Sequence, residues 1–267
     1  MPQPFAKYHG LGNDFILLDT EGSPPSTRII RALCDRHLGI GADGILLVSP
    51  DPGADARMIV YNADGSRPEM CGNGLRCVAF HVAGRIHRAP TSVVLRIATD
   101  AGIKRCLVEI DPPSPEAHVQ IDLGPISPPV PKTIPVPQAA LNLLSTSVGN
   151  PHAVLLDPPG DLPFHEVAPF LATHPSFPLG ANVSFATPTP DGFSVRVWER
   201  GVGPTLACGT AACAVAAAAV HAGRASLDRP QTILLPGGPL SVTITSEGHA
   251  VLEGPARHVF DGTLPAV

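Results

Sequence analysis

Lysine is scarce in this sequence: of 267 residues, Lys7, Lys104 and Lys132 alone carry that side chain. None stands where a Schiff base would form, so pyridoxal phosphate, which requires one, is not expected as an aid to amino-acid chemistry. Charge is thin as well. With 15% charged residues, a net charge of −5 and no Lys/Arg-rich run, neither nucleic acid nor an anionic membrane is expected as the main partner, which leaves small molecules. No long hydrophobic run occurs. The stretch from Leu206 to Val220 is interrupted by Gly209 and Thr210 and falls short of the roughly 18 residues of a membrane span. The opening MPQPFAKYHG lacks the charged and apolar regions of a secretory signal, so a soluble, cytoplasmic protein is expected. Walker A is absent, and Gly39-Ile-Gly41 and Gly201-Val-Gly203 are too short for a dinucleotide fingerprint. Six cysteines (34, 71, 77, 106, 208 and 213) are present. Neither Cys71/Cys77 nor Cys208/Cys213 has CxxC spacing, so no metal site is expected. A disulfide framework belongs to short secreted chains, and free thiols are the expectation here.

What is present is apolar and turn-rich: 44% hydrophobic residues with 26 Gly and 32 Pro. A sizeable core and many turns follow, in one large or two medium domains. The strongest organising signal is an internal repeat. Gly12-Asn13 opens the apolar run Phe15–Asp19, and Gly149-Asn150 opens Ala153–Asp157. Cys71-Gly72 begins an Ala/Val-rich stretch to Gly84, and Cys208-Gly209 begins another to Gly223. Asn13 and Cys71 are separated by 58 residues, as are Asn150 and Cys208, and the two sets are offset by 137. Duplication explains this better than coincidence. Between the halves, Asp111–Pro137 holds nine prolines in 27 residues, the composition of a crossover with edge strands such as His118–Leu123 between stiff turns. A boundary near residue 115 is expected. β-branched runs at Met58–Tyr61, Val93–Ile97, Lys104–Ile110, Ser194–Val197, Thr232–Leu235, Leu240–Thr245 and His249–Leu252 read as strands. Helices are expected after Cys71 and Cys208 and at Thr27–Asp35 and Phe164–Thr173. The stretch after Cys208 is apolar on all faces, the pattern of a helix buried all round, which a surrounding sheet would supply.

Cys71 and Cys208 each precede a glycine where a turn becomes a helix. Unpaired N–H groups and the macrodipole at a helix start stabilise a thiolate and seat a carboxylate. Two such sites facing one ligand form a two-base racemase: one thiolate removes the α-proton, the opposing thiol returns one on the other face, and the helix starts hold the growing negative charge. The pair would share one proton. Free cysteine usually just packs, and that reading stands for Cys34, Cys77, Cys106 and Cys213. Asn13, Asn62, Asn150 and Asn182 sit at apolar boundaries where Asn commonly caps or turns. His152 and Glu199-Arg200 lie in the repeated turn or close before the second cysteine.

These segments resemble the diaminopimelate epimerases, a pyridoxal-independent two-cysteine family. The matching motifs are Tyr8-His-Gly-Leu-Gly-Asn-Asp-Phe15, Gly39-Ile-Gly-Ala-Asp43, Tyr61-Asn-Ala-Asp-Gly-Ser66, Met70-Cys-Gly-Asn-Gly-Leu-Arg-Cys77, Val148-Gly-Asn-Pro-His152, Gly180-Ala-Asn-Val-Ser184, Trp198-Glu-Arg-Gly-Val-Gly203 and Ala207-Cys-Gly-Thr210. The resemblance implies an α/β (α+β) fold of two pseudo-symmetric domains, each a mostly antiparallel sheet rolled into a barrel round a central helix, with the ligand in the cleft between them. The domains would be 1–115, carrying Cys71, and 116–261, carrying Cys208, with about 262–267 returning to the first. It also implies a homodimer acting without cofactor or metal on an amino-acid substrate, exchanging LL- and meso-diaminopimelate for lysine and cell-wall precursor synthesis. Cys71 and Cys208 would be the acid/base pair, and His152 and Glu199 the residues that tune it. Asn13, Asn62, Asn150, Asn182, Glu199 and Arg200 would line the substrate, and the backbone N–H groups of Gly72-Asn73 and Gly209-Thr210 would bind the reacting carboxylate. Arg200 suits bidentate carboxylate binding. The sequence departs from the family where some members carry a substrate-contacting Gln and this chain has Gly44, and at Leu75, Pro204 and Ala211. Competing readings are an epimerase of another amino acid and a non-catalytic or metal-binding protein with structural cysteines.

Overall fold

A computed structural model describes residues 3–20, 22–87, 89–136 and 139–264. The fold is α+β, its strands forming a sheet that closes into a barrel. The chain divides into two units, Met1–Ile121 with Gly254–Val267, and Asp122–Glu253.

In the first unit, β1 (Gln3–Gly10) and β2 (Asn13–Asp19) form a hairpin. Its two-residue turn, Leu11-Gly12, has φ of 55° and 84°. Both residues are left-handed, which matches the strand twist and sets Asn13 at the first position of β2. Then come α1 (Thr27–Cys34), β3 (Gly44–Asp51), β4 (Ala54–Asn62), α2 (Gly72–Ile86), β5 (Thr91–Thr99), β6 (Gly102–Ile110) and β7 (Glu116–Pro125), which starts in this unit. Ser26 starts α1, its hydroxyl accepting the Ile29 N–H. The pairings are antiparallel β1–β2, parallel β2–β3, antiparallel β3–β4, parallel β4–β5, and antiparallel β5–β6 and β6–β7. The chain's last strand, His249–Leu264, returns to pair with β1 from Gln3↔Leu264 to His9↔Arg257 and closes the sheet. Helix α2 touches every strand from β1 to β6. It buries Leu75, Cys77, Val78, Ala79, Val82 and Ala83, each large apolar side chain stabilising the unit by about 1.5–3 kcal/mol.

The second unit holds β8 (Val130–Val136), β9 (Ala139–Ser147), β10 (Pro151–Leu156), α3 (Phe164–Ala172), β11 (Asn182–Thr189), β12 (Gly192–Glu199), β13 (Gly203–Thr205), α4 (Gly209–His221), β14 (Gln231–Leu235), β15 (Gly238–Ile244) and the start of β16 (His249–Leu264). From β9 to β16 the pairings run antiparallel, parallel, antiparallel, parallel (β12 with β14), antiparallel, antiparallel, the series found from β1 to β7. Helix α4 touches β9, β10, β11, β14 and β15. Ala211 to Ala219 are all buried, so its alanines let strands approach closely on every side.

The division between the units falls after residues 121 and 253, inside β7 and β16. Residues 265–267 of the expected returning tail lie outside the described residues. The expected edge strand His118–Leu123 is instead part of β7, which stands between β6 and β16 in the strand order; among the described residues the edge is β8, with Pro131 and Pro135, which stands last and pairs with β9.

A charged cluster braces the β1–β2 hairpin. Lys7, 7% exposed, reaches Asp14 at 2.6 Å and donates to the Gly41 carbonyl, and Arg36 bridges Asp14 and Asp43 at 2.7 Å each. Burial alone would raise the Asp14 pKa, but hydrogen bonds from Arg36 and Lys7 outweigh it and hold the carboxyl down at about 2. A depressed carboxyl pKa stabilises the fold above the unfolded value, and that stability is lost as pH falls toward about 2. Asp14→Asn is therefore expected to lower unfolding free energy by about 2 kcal/mol at neutral pH. Urea titrations should show the gap from the parent closing as pH falls through that range; a constant gap would contradict the assignment.

Candidate active site

In the first unit, Cys71 is the N-cap of α2, in extended backbone (φ −142°, ψ 107°), and its sulfur accepts the Gly74 N–H at 3.3 Å. Accepting a backbone N–H at a helix start favours a thiolate over a thiol. Gly74 is required by closeness, since a Cβ there would lie 2.8 Å from Leu46 Cδ2. Asn73, buried in the first turn, donates from Nδ2 to Asn13 Oδ1 at 3.1 Å, and Asn13 Nδ2 donates to Asp43 at 2.8 Å. Asn62 ends β4, its Nδ2 donating to Ser66 Oγ at 2.9 Å. Gly72, Asn73, Cys71 and Asn13 thus gather at one end of α2. A cavity of about 630 Å³ lies at the other end of the helix, beside Val82, Arg85 and Ile86, and none of the expected residues lines it.

In the second unit, Cys208 is the N-cap of α4, also extended (φ −134°, ψ 108°), but without a capping bond to the helix backbone from its side chain. It is 6% exposed, lies 3.5 Å from Thr210 Oγ1 and hydrogen-bonds Glu199. Burial, then the neighbouring Glu199 charge, pushes the Cys208 thiol pKa well up, against the pull of Thr210 and the Ala211 N–H. Glu199 is itself raised by burial, opposed by hydrogen bonds from Thr205, at 2.6 Å, and Cys208. Cys208 is therefore a protonated thiol donating to a carboxylate. His152, fully buried, points Nε2 at Asn150 Oδ1, 2.9 Å away, and burial, reinforced by Arg200, lowers its pKa to about 3. The ring is neutral with its proton on Nε2, because the Asn150 oxygen can only accept. Asn182 Oδ1 accepts the Arg200 N–H at 2.8 Å, and Arg200 Nη1 donates to the Leu179 carbonyl at 2.5 Å. Gly180, at φ 69°, lets the Arg200 side chain pass: a Cβ would lie 2.9 Å from its Cδ. Gly209 is equally tight against Leu252.

Strand register aligns the two halves. Phe15 pairs with Gly44, and Gly44 with Asn62; His152 pairs with Asn182, and β12 brings Glu199 next in that row. Where the second unit has His, Asn and Glu, the first has Phe, Gly and Asn. Gly44 has no room for a side chain, because a Cβ there would meet the Tyr61 carbonyl at 2.3 Å. A side chain such as the Gln expected in some members therefore does not fit at this position in this backbone. Sequence reasoning missed Thr205, which holds Glu199, and Arg76, whose charge in an apolar helix was the available signal.

The family model described as diaminopimelate epimerase matches residues 5–127 and 144–259. The chain is 39% identical over 280 residues to the diaminopimelate epimerase of Heliobacterium modesticaldum, covering 98% of this chain and 99% of that protein. The chain belongs to the diaminopimelate epimerase family. It is an isomerase. Other diaminopimelate epimerases are as similar: that of Desulforudis audaxviator is 41% identical, with 97% of this chain and 98% of that one covered. Among solved structures, a hydroxyproline epimerase from Agrobacterium vitis shares the fold of the diaminopimelate epimerase family chain with a TM-score of 0.75 at 16% identity, covering 98% of this chain and 92% of that one. A Bacillus anthracis phenazine biosynthesis protein does so at 0.74 and 17%, with both chains fully covered. Among the described residues no cluster of three or more His, Cys, Asp or Glu is placed to hold a metal ion, and no helix is long and apolar enough to cross a membrane.

Proposed function

We propose that this chain interconverts LL- and meso-2,6-diaminopimelate without pyridoxal phosphate, with Cys71 and Cys208 as the two acid/base groups. The observation that carries the reading is the matched placing of the two thiols, each the N-cap of a helix in the same extended backbone. Cys208 is a buried thiol hydrogen-bonded to Glu199, which suits it to the acid role in one direction of the reaction, with Cys71 as the base. The Cys71 thiolate takes the α-proton and becomes a thiol. The electron pair left on the α-carbon delocalises into the carboxylate, whose charge the N–H groups of Gly72-Asn73 and Gly209-Thr210 hold. The Cys208 thiol then protonates the opposite face and becomes the thiolate. Roles are reversed for the other isomer. Glu199 steadies the Cys208 proton, and His152 fixes Asn150 so that its amide N–H group faces the substrate. Asn13, Asn62, Asn182 and Arg200 hold the remaining polar groups of the substrate, Arg200 as a carboxylate fork.

The recurring series of strand pairings supports reading the units as pseudo-symmetric barrels, each round its own helix. Domain limits of 1–121 with 254–267, and 122–253, fit that reading. Homodimerisation would cover Val259 and Phe260, apolar residues of β16 that are 51% and 44% exposed. A cytoplasmic location fits a precursor-synthesis enzyme. Purified protein incubated with LL-diaminopimelate in deuterated solvent, with no pyridoxal phosphate added, is expected to incorporate deuterium at the α-carbon as the meso isomer appears. Strict dependence on added cofactor would overturn the mechanism, and exchange into another amino acid in preference would overturn the substrate.

A further inference from the structure

Arg76 lies in the second turn of α2, wholly buried at 0% exposure. Its Nε donates to the Pro255 carbonyl and its Nη2 to Asn73 Oδ1, both at 3.0 Å. The bonds continue from Asn73 Nδ2 to Asn13 Oδ1 and from Asn13 Nδ2 to Asp43 Oδ2. A guanidinium can only donate and an ionised carboxylate can only accept. The chain therefore has one polarity: Asn73 must turn its oxygen to Arg76, and Asn13 its oxygen to Asn73 and its nitrogen to Asp43. Room for the guanidinium comes from Gly10, where a Cβ would lie 2.9 Å from Arg76 Nη2.

From this geometry we infer that Arg76 is a positioning residue for substrate binding, fixing which way the side-chain amides of Asn73 and Asn13 face. The inference rests on the reading of Asn13 and Asn73 as substrate-lining residues. Arg76 touches no reacting atom, so it acts on binding common to ground and transition states, which appears in KM rather than kcat. Lysine cannot replace it, because a single ammonium lacks the fork that serves Pro255 and Asn73 together.

Steady-state epimerisation of LL-diaminopimelate by the full-length protein tests this. Arg76→Lys and Arg76→Gln are expected to raise KM about tenfold with kcat changed less than about threefold. Gly10→Ala, which leaves the arginine in place but crowds it, is expected to raise KM in the same way, and it serves should the Arg76 variants not fold. Unchanged KM in folded Arg76→Gln and Gly10→Ala would overturn the inference, as would equal losses in kcat and kcat/KM. Asn13→Ala separates the two claims. If its KM rises while the Arg76 variants bind normally, the positioning role fails alone; if its KM too is unchanged, the reading of the site fails.

Discussion

Cys71→Ala and Cys208→Ala are each expected to lose epimerisation by about 10²–10⁴-fold, the contribution typical of a positioned acid or base. Loss of either thiol leaves one face of the α-carbon with no proton carrier. The variants should differ in a second respect. Each retains one cysteine, so each is expected to exchange the α-proton of one stereoisomer with solvent while returning it to the same face, and the two should prefer opposite isomers. Deuterium exchange followed by chiral separation reads this directly. Turnover near the parental rate in either variant would falsify the two-base assignment. The fold should survive both changes. Cys71 contributes one cap hydrogen bond to the Gly74 N–H, a loss of about 1 kcal/mol, and Cys208 makes no capping bond with its side chain.

Stability should fall steeply on mild acidification, and His152 is the main reason. Its folded-state pKa is lowered to about 3 by burial and by Arg200, whereas an unfolded histidine binds its proton near pH 6.5. The unfolded state then carries the extra proton throughout that interval, so stability is full above about 6.5 and declines as pH falls toward 3. Between pH 7 and 5 the loss is about 2 kcal/mol. His9, lowered by burial and by Arg257, adds in the same direction, while Glu199, raised by burial, opposes it at lower pH. Chemical denaturation at the two pH values checks the size of the effect. His152→Gln, which cannot titrate, is expected to flatten the dependence; an equally steep decline in that variant would assign the effect elsewhere.

The helices were legible because their boundaries carry local chemistry. A cysteine followed by glycine, then Ala and Val on every face, leads to Gly72–Ile86 and Gly209–His221, and Thr27–Cys34 and Phe164–Ala172 begin where the sequence expected. Strands were legible where β-branched residues cluster. β3 was not, since its unbroken Ile45–Val48 run has no period to distinguish strand from helix. Nor was β11, where Asn182 and Ser184 are buried with Val183 and Phe185, so hydrophobicity does not report burial. At the candidate site, the repeat picked out both cysteines and the paired asparagines. It could not show that Glu199, though close before Cys208 in sequence, is brought to hydrogen-bond it by the turn through Gly203–Thr205. The burial of Arg76 was only hinted at by its charge in an apolar helix, since packing alone reveals that the charge faces inward.

The pairing of β1 with the chain's last strand sets an order on biosynthesis. Gln3 finds its partner Leu264 only when all the residues between them have left the ribosome. Residues 122–253 form the second unit from one continuous stretch, which can be complete while the first unit still lacks its closing strand. The earlier-made half is thus the later to close, and until then the outer edge of β1 stays open to pairing with other chains. Removal of residues 257–264, which pair with β1, should therefore harm the half of the protein that is made first.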